Sequence, residues 1–393
     1  MPGNSTERIS LGTFPTPLEP APRLAAAIGL REDRLWIKRD DLTGLGGGGN
    51  KVRKLERTLA AALRDGADCL VTTGAAQSNH ARLTAAAGAR LGLPVTLVLA
   101  GGPGDPGGPG ISAGPGTAPA GNLLLDEIFG ARIRWVGDAD DIRLAAVADE
   151  TAAELASAGA HPAVIPFGGS NRDGVLAYAD AARELRDQLQ SQLRDQRQAT
   201  SVVAVGSGGT MAGLVAELGP EHVLGVHAGA IAAPAEAVAA LASTITAGRQ
   251  NPQALRVRTD QVGAGYGSLT EPAAAAIRLA ARTEGIVLDP TYTGRALAGL
   301  IAAVHDGDLE GDAPVVFWHT GGLPGLFGHP EIQRLLSRTD PGSDPSAHFP
   351  PPDGRPPAGH RRIVLTVTTH TKSAGQRGQR GPFGSRAAPN STR

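Results

Sequence analysis

The sequence predicts an α/β protein built on open, mainly parallel sheets. Two observations lead there: short β-rich runs that are apolar almost throughout, and segments with helical spacing between them. Strands covered on both faces read as continuous apolar runs, and the helices between them supply the crossovers that parallel pairing needs. A third observation agrees: polar or glycine-rich turns follow several of the runs, at the strand ends where open α/β sheets bind ligands.

In chain order the strand candidates are LWIK (35–38), CLVTTG (69–74), VTLVLAG (95–101), AVIPFGG (163–169), SVVAVGSGG (201–209), VLGVHAG (223–229) and VVFWHTGG (315–322). After the first, Val52, Leu55, Leu59 and Leu63 recur at steps of three and four, which marks one face of a helix that Lys51 opens. A helix is expected from Ser78 or Asn79, and another entered through Thr210. Apolar positions also crowd 142–157, 173–189, 232–245, 271–283 and 295–304. GGPGDPGGPGISAGPGTAPAG (101–121) is too rich in Gly and Pro for regular structure and reads as an exposed loop. Beyond about residue 336 only IVLTVTT (363–369) has core-forming character, so 336–393 reads as a mostly disordered tail.

The 393 residues leave room for two core-bearing units, each of ~100–200 residues. A formal net charge of −1 provides no global field for nucleic acid or an anionic membrane. The lone cysteine, Cys69, excludes an intramolecular disulfide and a multi-cysteine zinc site, and its apolar neighbours make it a buried strand residue. MPGNSTERIS lacks a cationic start followed by an apolar run, and no window approaches the ~18 apolar residues of a membrane span. The expectation is a soluble, intracellular protein.

Three stretches could carry chemistry. In GGGGNKVRKLE (46–56) four glycines lead directly into Lys51. A nucleotide P-loop would need a hydroxyl after the lysine, where Val52 stands. A flexible turn with a solvated lysine remains open, as does an amine held against a ligand. At a helix start the free N–H groups and the dipole lower an amine's pKa, which allows Schiff-base formation with an aldehyde. VAVGSGGTMAGL (203–214) reads as strand, glycine turn and helix, with several N–H groups converging where an anion would sit. Met211 occupies the last glycine position of a dinucleotide motif, so a phosphate monoester fits better; tight packing without ligand is the alternative. Gln77, Ser78, Asn79 and His80 form a polar patch at a strand end, where N-capping or a structural histidine bond competes with substrate binding. Farther on, GAGYGSL (263–269) and LDPTYTGRA (288–296) each carry a tyrosine, and FWHTGGLPGLFG (317–328) places Thr320 before two glycines.

Taken in order, LGTFPTPLEPAPRL, WIKRDDLTGLGGGGNKVRKLE, QSNHARLTAAAGARLGLP, GNLLLDEIFGA, PFGGSNRDGVLAY, GSGGTMAGL, DPTYTGRALAGL and HTGGLPGLFG resemble the D-cysteine desulfhydrase and 1-aminocyclopropane-1-carboxylate (ACC) deaminase family. That family belongs to the fold-type-II, tryptophan-synthase-β-like pyridoxal-phosphate enzymes. The resemblance covers about residues 9 to 330. It implies two α/β domains, 1–50 plus 170–335 and 51–169, with the cofactor in the cleft between them, in a cytoplasmic homodimer.

By this resemblance Lys51 forms the Schiff base with pyridoxal phosphate, beside Asn50. Gly206, Gly208, Gly209 and Thr210 match the phosphate cup, Asn79 the partner of the phenolic oxygen, and Thr320 the position facing the pyridine nitrogen. Ser78 matches a residue near the substrate, and Tyr266 and Tyr292 match the active-site tyrosines. Gln77, Ser78, Asn79 and His80 are the expected contacts to a small amino acid. ACC deaminases carry Gln and Glu where His80 and Thr293 stand here. The implied reaction is therefore β-elimination of D-cysteine, with ACC deamination or elimination from another small amino acid as alternatives. Arg295 replaces the usual Lys, and Ala75 and Ala76 replace bulkier residues. A silent cofactor-binding protein is disfavoured by Lys51, Ser78 and Tyr292 together, and a Rossmann oxidoreductase by Met211.

Overall fold

The computed structural model describes residues 7–102, 119–193 and 198–336. The tail, its IVLTVTT run and most of the 101–121 segment lie outside these residues. The chain begins with β1 (Leu18–Pro20), α1 (Pro22–Ala27), β2 (Leu35–Lys38), α2 (Lys51–Arg64), β3 (Cys69–Ala75), α3 (Asn79–Leu91) and β4 (Val95–Ala100). It continues through α4 (Gly121–Ile128), β5 (Arg132–Trp135), α5 (Asp141–Ser157), β6 (Pro162–Ile165), α6 (Arg172–Leu193), β7 (Thr200–Val205), α7 (Gly209–Leu218) and β8 (Val223–His227). Next come α8 (Pro234–Ala242), β9 (Arg256–Arg258), α9 (Glu271–Glu284), α10 (Thr293–His305), β10 (Val315–Trp318) and α11 (Leu323–Phe327).

The strands make two sheets. One runs β1-β2-β10-β7-β8-β9, the other β5-β4-β3-β6, and every pairing is parallel except β1 with β2. The order reverses once in each. In the large sheet β8 follows β7 on one side while β10 returns to the other; in the small sheet β4 lies on one side of β3 and β6 on the other. Connections leave in opposite directions at such a point, which opens a crevice beyond the strands' carboxyl ends.

Side-chain alternation distributes the cores. Val202 and Ala204 of β7 face α1, α9 and α10, whereas Val203 and Val205 face α6, α7 and α8. In the small sheet Leu97 and Leu99 pack with α2 and α3, and Val98 packs with α5. Cys69 is buried in β3 as expected. Among the described residues no helix is long and apolar enough to cross a membrane.

The structure departs from the sequence expectation at particular places. AVIPFGG is strand only to Ile165. Pro166 lacks an N–H for the ladder, and Gly168, at φ 63°, takes the left-handed conformation that turns Phe167–Gly169 into a 3-10 turn. Val52, Leu55 and Leu59 are fully buried, but Leu63, in the last turn of α2, is exposed. The strands without a sequence signal, LEP, RIRW and RVR, all lie at sheet edges. There one side of the ladder is open and the apolar run is interrupted.

Candidate active site

Lys51 owes its place to the loop before it. Gly48 adopts φ +75°, and a Cβ there would lie 1.9 Å from the Asp41 carbonyl oxygen, so no side chain fits. The Thr43 hydroxyl accepts from Gly49 N at 2.8 Å and donates to Gly49 O at 3.1 Å, closing the turn. Asn50 N donates to Thr320 O at 3.0 Å, tying the loop to the segment after β10. The Asn50 side chain does not cap α2. Its Nδ2 instead donates to Thr210 Oγ1 at 2.9 Å, while its Oδ1 accepts from Lys51 Nζ at 3.0 Å. Beneath the loop, Arg53 bonds both oxygens of Asp40 at 3.1 Å, and the Tyr178 hydroxyl donates to Asp40 Oδ2 at 2.6 Å.

The second glycine turn enters α7 through Gly208, in the left-handed conformation. Bare backbone is required here: a Cβ at Gly206 would sit 3.0 Å from the Tyr292 ring, and one at Gly209 would sit 2.9 Å from Lys54 Nζ. Gly209 N donates to Ser170 Oγ at 3.2 Å, and Ser170 and Ser207 share a 2.7 Å hydroxyl bond. Lys54 Nζ donates to Gly168 O at 3.1 Å and to Ser170 Oγ at 3.2 Å. The sequence reading missed Lys54. The available signal was spacing, since it lies three residues after Lys51 and so on nearly the same face of α2.

At the start of α3, Ser78 is the N-cap, its Oγ accepting from Ala81 N at 3.1 Å. Asn79 Oδ1 accepts from Asn122 Nδ2 at 3.1 Å, which leaves Asn79 Nδ2 to donate elsewhere. The Thr72 hydroxyl donates to Ile165 O at 2.8 Å, so it accepts from His80 Nε2 at 2.9 Å, and His80 Nδ1 is a buried acceptor without a partner among the described residues. Gln77 is engaged with α4: Nε2 donates to Ala120 O and Oε1 accepts from Asn122 N. Asp289 is wrapped by its own segment, accepting from the backbone N–H groups of Thr291, Tyr292 and Thr293 and from the Thr293 hydroxyl.

Much of the expected set meets in one cavity. Asn50, Lys51, Ser78, Asn79, His80, Gly206, Gly208, Thr210, Tyr292 and Thr320 line it, together with Ser207 and Phe167. Gly209 supports the wall from behind through Ser170. Gln77 and Tyr266 line an adjoining pocket that shares Asn79 and Tyr292. The Tyr266 and Tyr292 hydroxyls are hydrogen-bonded, with the rings edge to face at 5.9 Å. Both sheets contribute through their switch points: residues after β3 and β6 from one, and after β7 and β10 from the other.

Burial sets the electrostatics. It pulls the Lys51 amine down to about 8, helped by the Arg82 cation and opposed by Asp289. Burial and then Lys51 push Lys54 well below the usual lysine value. Burial, with Lys51 and Lys54, holds His80 neutral. Tyr266 is pushed up to about 12 and Tyr292 well above its ordinary value, mainly by burial, so both phenols stay protonated. An amine that is readily neutral, a glycine turn opening a helix and a neutral hydroxyl around one cavity fit a flat phosphorylated aldehyde.

A family model for "Pyridoxal-phosphate dependent enzyme" matches residues 9–321. A D-cysteine desulfhydrase of Klebsiella pneumoniae subsp. pneumoniae is 40% identical over 337 residues, covering 83% of this chain and 97% of that protein. A D-cysteine desulfhydrase of Klebsiella pneumoniae strain 342 is 40% identical over 333 residues, with the same coverage of 83% and 97%. A solved structure described as "Crystal Structure Analysis of the ACC deaminase homologue" matches with a TM-score of 0.68 and 36% identity, over 85% of this chain and 96% of that one. With Lys51 and the glycine turn of α7 meeting in one cavity, these matches make the chain a member of the pyridoxal-phosphate dependent enzymes, in the group that includes D-cysteine desulfhydrases and the ACC deaminase homologue.

Proposed function

We propose that the protein is a lyase that eliminates hydrosulfide from D-cysteine and, with uptake of one water, yields pyruvate, hydrogen sulfide and ammonia. One observation carries this reading: a lysine amine brought down to about 8 lines the same cavity as the glycine turn 206–210. Lys51 is the residue for the aldehyde. Gly206, Gly208, Gly209, Thr210 and Lys54 hold the phosphate, Asn79 the phenolic oxygen and Thr320 the ring nitrogen. Bound there, pyridoxal phosphate supplies an electron sink for negative charge at the substrate Cα.

The chain's own groups do the rest. The neutral fraction of Lys51 removes the Cα proton. Ser78 has its oxygen committed to the cap, which leaves its hydrogen for the substrate, and the first amides of α3 take the substrate carboxylate. Tyr292 and Tyr266, both protonated, hold a proton for the departing sulfur. His80, held neutral, lines the cavity beside the small amino acid.

ACC deamination is the second reading, supported by the 36% identical ACC deaminase homologue. Among the described residues, however, no carboxylate lines the cavity, and Thr293 spends its hydroxyl on Asp289. A neutral partner leaves the ring nitrogen a weaker sink, which suits rapid loss of a good leaving group more than opening of a cyclopropane. The deciding assay compares pyruvate from D-cysteine with 2-oxobutyrate from ACC, with L-cysteine as a stereochemical control. D-cysteine turnover is expected, and strong turnover of ACC alone overturns the proposal. The same reading describes a cytoplasmic homodimer of two domains, 1–50 with 170–335 and 51–169, with the cofactor in the cleft between them.

A further inference from the structure

Arg295 lies in the first turn of α10, fully buried, and no carboxylate forms an ion pair with it among the described residues. Two of its three guanidinium nitrogens bond oxygens of two other segments, while Nε, also buried, has no hydrogen-bond partner among the described residues. Nη1 donates to Ala228 O at 2.6 Å, just beyond β8. Nη2 donates to Gly265 O at 2.7 Å and to Ser268 O at 2.6 Å, with Ser268 Oγ at 3.3 Å. Gly265 and Ser268 flank Tyr266 in the irregular stretch between β9 and α9. The carbonyl between them, Gly267 O, is bonded by His329 Nε2 at 3.0 Å. Next to Ala228 the backbone of Gly229 is tight against the tyrosine, where a Cβ would lie 3.3 Å from Tyr266 N. One turn before Arg295 stands Tyr292, whose hydroxyl bonds that of Tyr266. The same helix end therefore holds the carbonyls of Gly265 and Ser268 on either side of Tyr266, and Tyr266 itself at its tip. Burial lowers the Arg295 pKa and the charge of Asp289 only partly offsets it, so the cation is held chiefly by its directional bonds to backbone carbonyls.

We propose that Arg295 is a positioning residue that clamps the 265–268 turn to the end of β8 and so fixes Tyr266 against Tyr292. The clamp itself is independent of the reaction; its kinetic consequence rests on the reading that the tyrosine pair acts in the elimination. The test combines Arg295→Met, Arg295→Lys, Tyr266→Phe and the Arg295→Met/Tyr266→Phe double variant, all as full-length holoenzyme. Amide hydrogen exchange at 263–269 should speed up about tenfold in Arg295→Met, because the turn loses the bonds that keep it closed. With D-cysteine, kcat should fall about 10- to 100-fold with little change in KM, since a catalytic group has been displaced. In the Tyr266→Phe background the same substitution should cost less than about twofold, the signature of two residues acting as a unit.

Unchanged exchange, or an equal loss in both backgrounds, overturns the proposal. Faster exchange together with full activity of Tyr266→Phe keeps the clamp and removes the tyrosine from the reaction. Should Arg295→Met not fold, Arg295→Lys decides. One ammonium on a shorter stem cannot keep every contact, so exchange at 263–269 should still rise several-fold, and exchange at the wild-type rate overturns the proposal.

Discussion

Asn50 Nδ2 donates a 2.9 Å hydrogen bond to Thr210 Oγ1, across a separation of 160 residues. The contact joins the residue before Lys51 to the first turn of the helix that presents the glycine cup. Thr210→Val keeps the shape and removes the acceptor, along with the hydroxyl proposed for the phosphate. A hydrogen bond to a charged group contributes about 1.5–3 kcal/mol, so pyridoxal-phosphate affinity should fall about 10- to 100-fold. Asn50→Ala loses the tie and the oxygen that accepts from Lys51 Nζ but keeps the Thr210 hydroxyl, and should weaken binding less. Titration of the apoprotein with cofactor, followed by absorbance, measures both, and unchanged affinity in the two variants refutes the shared site.

The Lys51 amine at about 8 has a direct consequence for cofactor capture. Only the neutral amine attacks an aldehyde. Capture by the apoprotein should therefore accelerate between pH 7 and pH 9 and level off above it. A lysine at its ordinary value of about 10.4 would keep accelerating past pH 10. Lys51→Ala should bind the phosphate end without capture and lose activity by more than about a thousandfold. Borohydride reduction with peptide mapping checks the assignment, and a label on any other residue rejects it.

The reach of the sequence can be judged from these same residues. The glycines before Lys51 and after β7 were legible because backbone chemistry is local: each glycine run sits directly before a helix start, where close approach to a ligand is one of the readings. Central strands were legible because burial on both faces writes a continuous apolar run. The edge strands RIRW and RVR carry no such run and were missed. Gln77 lines the pocket beside Asn79 and Tyr292, and its amide also bonds the start of α4 across 43 and 45 residues. Nothing near Gln77 encodes that pairing. Spacing from Lys51 pointed toward Lys54, and Arg295 stood out as a departure from the usual Lys, but what each bonds was not legible, since their partners lie on other elements.

Lys54 makes that point testable. Its amine is buried beside the α7 turn and depressed well below the usual value by burial and by Lys51. A bound phosphate would supply the missing counter-charge and return the amine to its cationic form. Lys54→Met should therefore weaken cofactor affinity by at least about tenfold while leaving kcat near wild type once cofactor saturates. Inorganic phosphate should also compete with cofactor less effectively in the variant than in wild type. A loss of kcat with intact affinity would instead place Lys54 in the proton transfers.

Glu184 gives a prediction about stability. Oε1 accepts from Arg53 Nη2 at 2.8 Å and from Lys38 Nζ at 2.5 Å, and Oε2 accepts from Arg53 Nη1 at 2.9 Å. Burial alone would raise this carboxyl, but Arg53 and Lys38 outweigh it and hold the group at about 2, against 4.5 ordinarily. A folded-state value below the unfolded one means that the unfolded chain binds the proton first. The contribution is therefore complete above about pH 5 and is lost as pH falls through 4.5 toward 2. Its size is on the order of 3 kcal/mol, most of it gone by pH 3. Glu184→Gln should destabilise the protein at pH 7 by about that amount, because Arg53 and Lys38 lose a charged partner. The gap between variant and wild type should then narrow markedly at pH 3. Urea unfolding of both proteins at the two pH values measures it, and a gap that stays constant with pH would show that Glu184 is not held by these cations.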